Sequence, residues 1–281
     1  MEPNTPFVSA RGWSGAHRQT LRAKLRANRT AARLAGQGHY VTVPLDQHDA
    51  AGFYYHSAVK PGPVVVLLPG LGGDAGAEYI LATAQRCLEA GYPVARVDFR
   101  GTGQAAHRSA SVHHTCRSDD LLAICAAITA QGNAPLVAVG FSMGGNVLLH
   151  TLRASAHDIQ AAMTVCSPLD VHALAVTAAK SPGGIYERYM HRNLQQQALA
   201  IARQSSGNID AIKGARNLDA LHDVLAQLAG YENGHSYYDD ARITTAKLID
   251  ITTPVTMLHS CDDPMVSVES YATISWATLP M

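Results

Sequence analysis

The stretch Pro135-Leu136-Val137-Ala138-Val139-Gly140-Phe141-Ser142-Met143-Gly144-Gly145-Asn146-Val147-Leu148-Leu149 decides how this chain is read. A short apolar β-type run stops at Gly140. A serine stands between Gly140 and Gly144, and an apolar helix-like segment follows. This is Gly-x-Ser-x-Gly in a strand–turn–helix setting, the pattern of a nucleophile elbow. A turn this tight leaves no room for side chains flanking the serine. The Ser142 hydroxyl is therefore expected at the carboxyl edge of a sheet, with the Met143 N–H pointing at the same spot. A serine that only caps a helix is the competing reading. It does not account for the two flanking glycines, the Gly145 after them, or the strand before them.

Working outward from the elbow, apolar strands alternate with helical patterns. Val64 to Leu68 runs into Pro69-Gly70-Leu71-Gly72-Gly73, and a helix is expected from about Ala75 to Ala90. Pro93 to Val97 is the next buried strand and ends at Asp98-Phe99-Arg100-Gly101. A helix spans Asp119 to Gln131, the elbow helix runs to about Ala156, and Ala161 to Cys166 and Val255 to His259 are further strands. Upstream, Tyr40 to Leu45 and Gly52 to Val59 read as two strands joined by the polar turn Asp46-Gln47-His48-Asp49. Continuous apolar strands between helices predict a mostly parallel sheet covered on both faces. Between Cys166 and Val255 the pattern becomes helical, over Tyr186 to Arg203, Leu218 to Ala229 and Tyr237 to Lys247. The expectation is one α/β domain over 1–281 with a helical lid at 174–249 above the carboxyl edge of the sheet. Tyr186, Tyr189 and Met190 are its candidate pocket-lining residues.

Composition narrows the function classes. Lys+Arg and Asp+Glu are both 22, so the formal net charge is zero, which argues against a general nucleic-acid binder. No apolar run reaches the roughly 18 residues needed to cross a membrane, and the N-terminus lacks the apolar core of a secretory signal. Cys87, Cys116, Cys125, Cys166 and Cys261 are odd in number and scattered. They read as thiols of a reducing compartment, neither a disulfide framework nor a zinc site, and the expected location is cytoplasmic. Between Glu2 and Asp46 there is no acid. Arg22, Arg26, Arg29 and Arg33 follow helical spacing there. A solvated helix face is the plain reading of such a run, and peripheral contact with anionic lipid is the functional one. The segment lacks the serine richness of an organellar transit peptide.

The residues around the elbow suggest acyl-transfer chemistry. An oxyanion hole needs two backbone donors; Met143 supplies one, and the glycine-rich loop supplies the other, from Leu71. That loop is no phosphate-binding loop, because no Gly-Lys-Ser/Thr closes it. Arg100-Gly101-Thr102-Gly103 likewise lacks the third glycine of a dinucleotide fingerprint. A triad acid belongs just beyond a late strand. Ser260-Cys261-Asp262-Asp263-Pro264 fits, with Asp263 preferred, Asp262 the alternate, and a simple Asp-Asp-Pro turn the plain reading. His107, His113 and His114 gather near Arg108, but no suitably spaced acid or cysteine completes a site, so no metal is expected. His150 lies on the elbow helix, where a packing role is expected.

Taken in order, these residues resemble the YheT-type branch of the α/β-hydrolases, esterases related to the eukaryotic abhydrolase proteins. The likeness is carried by Gly15-Ala16-His17-Arg18-Gln19-Thr20, by Leu68 to Gly73 with Tyr79-Ile80, and by Asp98-Phe99-Arg100-Gly101. His114 with Asp120, the elbow itself, Tyr237-Tyr238 and Asp262-Asp263-Pro264 add to it. The resemblance implies the α/β-hydrolase fold and a serine carboxylic-ester hydrolase without cofactor, acting on a small, lipid-like ester. It implies Ser142 as nucleophile, Asp263 as orienting acid, and Leu71 and Met143 as oxyanion donors.

One feature departs from that pattern. The branch carries a Gly-Gly-His-type motif nearly thirty residues after the acid, whereas no histidine follows His259 in this sequence and only eighteen residues follow Asp263. The expectation is a chain missing the last strand and helix of the fold and the triad histidine, with weak activity. The alternative is a non-catalytic binding protein on the same fold.

Overall fold

Val64–Leu68 is five apolar residues without polar alternation, and all five are buried. A strand covered on both faces belongs in the middle of a sheet. In the computed structural model, which describes residues 8–25, 34–46, 48–59, 61–132, 134–154, 158–205 and 208–279, this is β3. The sheet has seven strands in the order β1-β2-β4-β3-β5-β6-β7. They are β1 (His39–Pro44), β2 (Ala50–His56), β3, β4 (Val94–Asp98), β5 (Leu136–Phe141), β6 (Ile159–Val165) and β7 (Val255–Leu258). β1 and β2 pair antiparallel with each other, as do β2 and β4, and the remaining pairs are parallel. This is the mostly parallel α/β-hydrolase arrangement expected from the sequence.

Helices α2 (Glu78–Glu89), α3 (Ser118–Thr129) and α4 (Met143–Arg153) connect the parallel strands. α4 is buried from Met143 to Leu152, because its small N-terminal residues let it sit tightly on the sheet. Ahead of the sheet, α1 spans Ala16–Leu25. Arg22 lies on it, while Arg26, Arg29 and Arg33 of the basic run lie outside the described residues. Among the described residues, no helix is long and apolar enough to cross a membrane.

Between β6 and β7 the chain builds helices α5 (Val171–Ala179), α6 (Ile185–Ala202), α7 (Ile209–Gly214), α8 (Leu218–Leu228), α9 (Gly234–Ala241) and α10 (Thr245–Ile249). The sequence suggests one helix over Tyr237 to Lys247; two form instead. The break falls at Arg242–Thr244, where the Thr244 side chain accepts from the Lys247 N–H and starts a new helix. After β7 comes the short α11 (Glu269–Ala272).

Register positions the site. β3 and β5 pair with Leu68 beside Gly140, so the loop after β3 and the turn after β5 leave the sheet side by side. β5 and β6 pair with Phe141 beside Val165, and β6 and β7 with Val165 beside Leu258. Residues 69–73, 142, 166 and 259 therefore emerge in a row along the carboxyl edge.

Candidate active site

Ser142 stands between β5 and α4 with φ 50° and ψ −122°. Positive φ is unusual for a residue with a Cβ and costs of order 1–3 kcal/mol. The surroundings impose it. A Cβ on Gly140 would come within 2.6 Å of the Gly144 carbonyl and of Gly145 Cα, and one on Gly144 would lie 2.7 Å from the Leu68 carbonyl oxygen. Backbone thus meets backbone on both sides of the turn, and only glycine fits. The serine N–H donates to the Val165 carbonyl at 2.9 Å, tying the turn to the end of β6. Among the described residues, the Ser142 hydroxyl has no hydrogen-bond partner.

The loop after β3 lies against this serine. A Cβ on Gly70 would sit 3.1 Å from Ser142 Cβ and 3.6 Å from its Oγ. Tyr79, on α2, accepts the Gly70 N–H at 2.8 Å, and the Gly73 N–H closes the loop on the Gly70 carbonyl at 3.0 Å. Among the described residues, neither the Leu71 nor the Met143 N–H donates to a protein acceptor. Both residues line a cavity of about 60 Å³ beside the serine. Its other walls include Phe99, Val112, His113 and His114, Leu194 and Gln197 of α6, and His222 and Leu225 of α8. The helical segment thus reaches the carboxyl edge, and a Cβ on Gly72 would lie 3.1 Å from Asn193 Cβ of α6. Tyr186, Tyr189 and Met190 do not line this cavity. The same helix meets it one to two turns later, at Leu194 and Gln197; Tyr186 instead packs on His17, with its hydroxyl 2.8 Å from His17 Nδ1.

Burial disfavours the charged form of the imidazoles lining this cavity. Burial pushes His114 down to about 3, with Arg117 and His113 adding to the effect, and pushes His222 down to about 4. Burial also lowers His113, which stacks on Phe99 at 4.2 Å. His222 is held by the Tyr238 hydroxyl at 2.7 Å, His150 is buried against the Ala241 carbonyl at 3.2 Å, and His235 pairs with Asp239 on the surface.

Asp263 follows β7. One of its oxygens accepts the Met265 and Val266 N–H groups, each at 2.9 Å. Asp262 is exposed and receives the Ser260 hydroxyl at 2.6 Å. Asp263 faces inward toward Cys166 and His259. The sequence reading put His259 inside its strand; β7 instead ends at Leu258, and the histidine stands at the edge. A cleft of about 1110 Å³ opens beside Asp263, with His17 of α1 and Asp170 also on its wall.

Sequence reasoning missed the cluster that holds the loop after β4. Arg100 is buried. It makes two bonds to Asp120, at 2.6 and 2.5 Å, and one to Asp49 at 2.7 Å, and it reaches Asp46 at 3.4 Å. Asp49 also accepts the Ala110 and Ser111 N–H groups. Burial alone would raise the Asp120 carboxyl, but the nearby His113 ring, 3.9 Å away, and the two Arg100 hydrogen bonds outweigh it and hold it down at about 2. The acid-free run before Asp46 drew attention to bases; the signal lay in the acids that follow it.

Comparison with known proteins agrees with this fold. The family described as serine aminopeptidase, S33, matches residues 59–275. YheT of Escherichia coli K12, an esterase by name, is 25% identical over 92% of this chain and 78% of its own length. The mouse phospholipase ABHD3 is 25% identical over 79% of this chain, which spans only 55% of that relative. Among solved structures, the Pyrococcus furiosus esterase PF2001 superposes with a TM-score of 0.58 at 17% identity, covering 88% of this chain and 79% of that one. With the family matched over most of this chain, and with the sheet order in place, the chain belongs to the serine aminopeptidase S33 family of α/β-hydrolases and is similar to YheT.

Proposed function

We propose that this chain is a serine esterase that cleaves small carboxylic esters by acyl transfer through Ser142. One observation carries the reading: a strained serine whose hydroxyl has no partner among the described residues stands beside two backbone N–H groups that, among those residues, have no acceptor either. In the proposed reaction, Ser142 Oγ attacks the ester carbonyl carbon. The Met143 and Leu71 N–H groups hold the oxygen as it gains charge, which is the largest single contribution in such sites. Collapse of the tetrahedral intermediate expels the alcohol, and water then releases the acid. The apolar cavity takes the acyl group, residues 174–249 act as a lid over it, the serine proton passes to water or to an added imidazole, and Asp263 is the acid that would orient an imidazole base.

That imidazole is the weak point. No histidine engages Ser142 among the described residues, and without a base the hydroxyl is a poor nucleophile near neutral pH. Serine enzymes stripped of a triad member keep roughly 10³–10⁴-fold over water, and a rate of that order is expected here. The same observation favours a second reading, a binding protein that retains the pocket. Hydrolysis of short p-nitrophenyl esters, with added imidazole and a Ser142→Ala control, separates the two. The esterase reading expects slow hydrolysis that depends on Ser142 and rises with imidazole beyond the rise in the control. Equal rates in both proteins at every imidazole concentration leave only binding.

A further inference from the structure

Cys166, His259 and Asp263 come from the ends of two adjacent strands and the loop after the second. One ligand atom from each — a thiol sulfur, an imidazole nitrogen and a carboxylate oxygen — lies within 4.8 Å of the others. The Cys166 N–H donates to the Leu258 carbonyl at 2.8 Å, which locks the two strand ends together. Cys166 has φ 48°, which makes it, with Ser142, one of two non-glycine residues at positive φ among the described residues. Both ring nitrogens of His259 are shielded from water and have no hydrogen-bond partner among the described residues. The Tyr271 ring stacks on the imidazole at 4.4 Å, and the Tyr271 hydroxyl is itself anchored on the Ser167 carbonyl at 2.6 Å. An imidazole shielded at both nitrogens forfeits the hydrogen bonds water would give it, so this ring is placed for a partner that the described residues do not supply.

We infer that Cys166, His259 and Asp263 form a three-ligand binding site for a divalent transition metal ion of the zinc class. The donor set selects the metal: thiolate and imidazole favour zinc over the hard cations, which prefer oxygen alone. Around tetrahedral zinc, with bonds of about 2.0–2.3 Å, donor atoms stand roughly 3.3–3.6 Å apart. The three groups must close in by about 1 Å, within reach of side-chain rotation. The Asp263 oxygen that accepts the Met265 and Val266 N–H groups fixes the carboxylate and leaves its other oxygen for the ion. Three protein ligands leave a fourth position open, the pattern of an exchangeable site rather than a closed structural one. Binding replaces the thiol proton with the metal, and that proton passes to the buffer.

The inference does not rest on the esterase reading, although both use Asp263. A carboxylate bound to zinc is withdrawn from the acid role proposed for it above. The test is equilibrium Zn²⁺ binding to the full chain, in competition with a chromophoric chelator and with a non-thiol reductant present. Co²⁺ serves as the spectroscopic probe for a thiolate ligand. One Zn²⁺ per chain is expected, with a Co²⁺–thiolate charge-transfer band. Cys166→Ser should abolish the band, and both Cys166→Ser and His259→Gln should weaken Zn²⁺ binding at least about tenfold, the scale of lost metal-site contacts. Far-UV circular dichroism and Tm in chelator establish that each variant is folded. Cys261→Ser, at the nearby exposed thiol, should bind as the parent does. Ser142→Ala should too, whatever its activity. Absence of stoichiometric Zn²⁺ in the parent, or binding unchanged in both folded ligand variants, overturns the site.

Discussion

The helices that connect the parallel strands and the helices of the inserted segment begin in different ways. Ala77, Arg117 and Ser142 stand at the N-caps of α2, α3 and α4, and none caps its helix with a side-chain hydrogen bond. In the segment between β6 and β7, Asp170, Asn208, Asn217, Asn233 and Thr244 each cap a helix with a side-chain oxygen. Connecting helices start where a strand and a turn deliver them, and burial against the sheet holds them there. Inserted helices are mostly short, and helices of that length are marginal alone, so they carry their own start signals. The long α6 is the exception: it begins after Gly183 and Gly184, both at positive φ. The difference bears on function. A serine whose oxygen is not spent capping its helix is free to react.

The largest expected effect tests whether the sheet region depends on its buried charges. Arg100→Met removes the cation that Asp49 and Asp120 share, leaving two buried carboxylates unpaired. Breaking such an arrangement costs about 3–5 kcal/mol, read as a lower urea midpoint. The pH dependence follows from the sign. The folded state holds the Asp120 carboxyl at about 2 against an ordinary 3.8. Its contribution is complete above pH 4 and disappears as pH falls from about 4 to about 2. The parent should lose stability across that window more steeply than Arg100→Met does. Parallel curves would mean that Asp120 is not held by Arg100.

Next comes the turn. Gly140→Ala drives a methyl into the Gly144–Gly145 backbone, and overpacking of this kind costs about 1–3 kcal/mol. In the inserted segment, Gly214 at the end of α7 has no atom within 4 Å of a would-be Cβ and no positive φ. Gly214→Ala should be neutral or stabilise by up to about 1 kcal/mol. Similar losses at both glycines would contradict the assignment of steric closure to the elbow alone.

These contrasts follow what the sequence exposed. Continuous apolar runs such as Val64–Leu68 mark central strands because nothing else needs both faces apolar. Glycine spacing marks the elbow because its backbone clash is local. The Arg100 cluster escaped because Asp46, Asp49 and Asp120 reach it only once β2, β4 and α3 are assembled. Cys166, His259 and Asp263 escaped for the same reason, since the pairing of β6 with β7 is what joins them. The misplaced lining residues reflect a helix whose apolar face was legible but whose axial position over the cavity was not.

A smaller effect, opposite in sign, concerns the strain at Ser142. Ser142→Gly should raise stability by about 1–2 kcal/mol, since glycine adopts φ 50° without the cost of order 1–3 kcal/mol. Ser142→Ala retains the Cβ and should leave stability near the parent value. Both remove the hydroxyl, so both should lose the proposed hydrolysis. Calorimetric Tm values that rise equally for the two variants would place the cost in the hydroxyl rather than in the backbone.

The smallest effects probe the caps themselves. Asn233 and Ser236 form a reciprocal capping box: the Asn233 side chain accepts the Ser236 N–H at 2.9 Å, and the Ser236 hydroxyl accepts the Asn233 N–H at 3.2 Å. Asn233→Ala should cost about 1 kcal/mol, the usual value of such a cap. α9 carries Tyr237 and Tyr238, so fraying should also loosen the wall beside His222, read as faster amide exchange over Gly234–Ala241. The reverse substitution sharpens the comparison. Ala77→Ser offers α2 the cap it lacks, but Asp74 already receives the Ala77 N–H at 3.1 Å and Ile80, on the first turn, is fully buried. The start of α2 is therefore set by its neighbours, and the gain should be no more than about 0.5 kcal/mol, below the usual worth of a cap. A full cap's worth of stabilisation in urea unfolding would show that the connecting helices are as locally governed as the inserted ones.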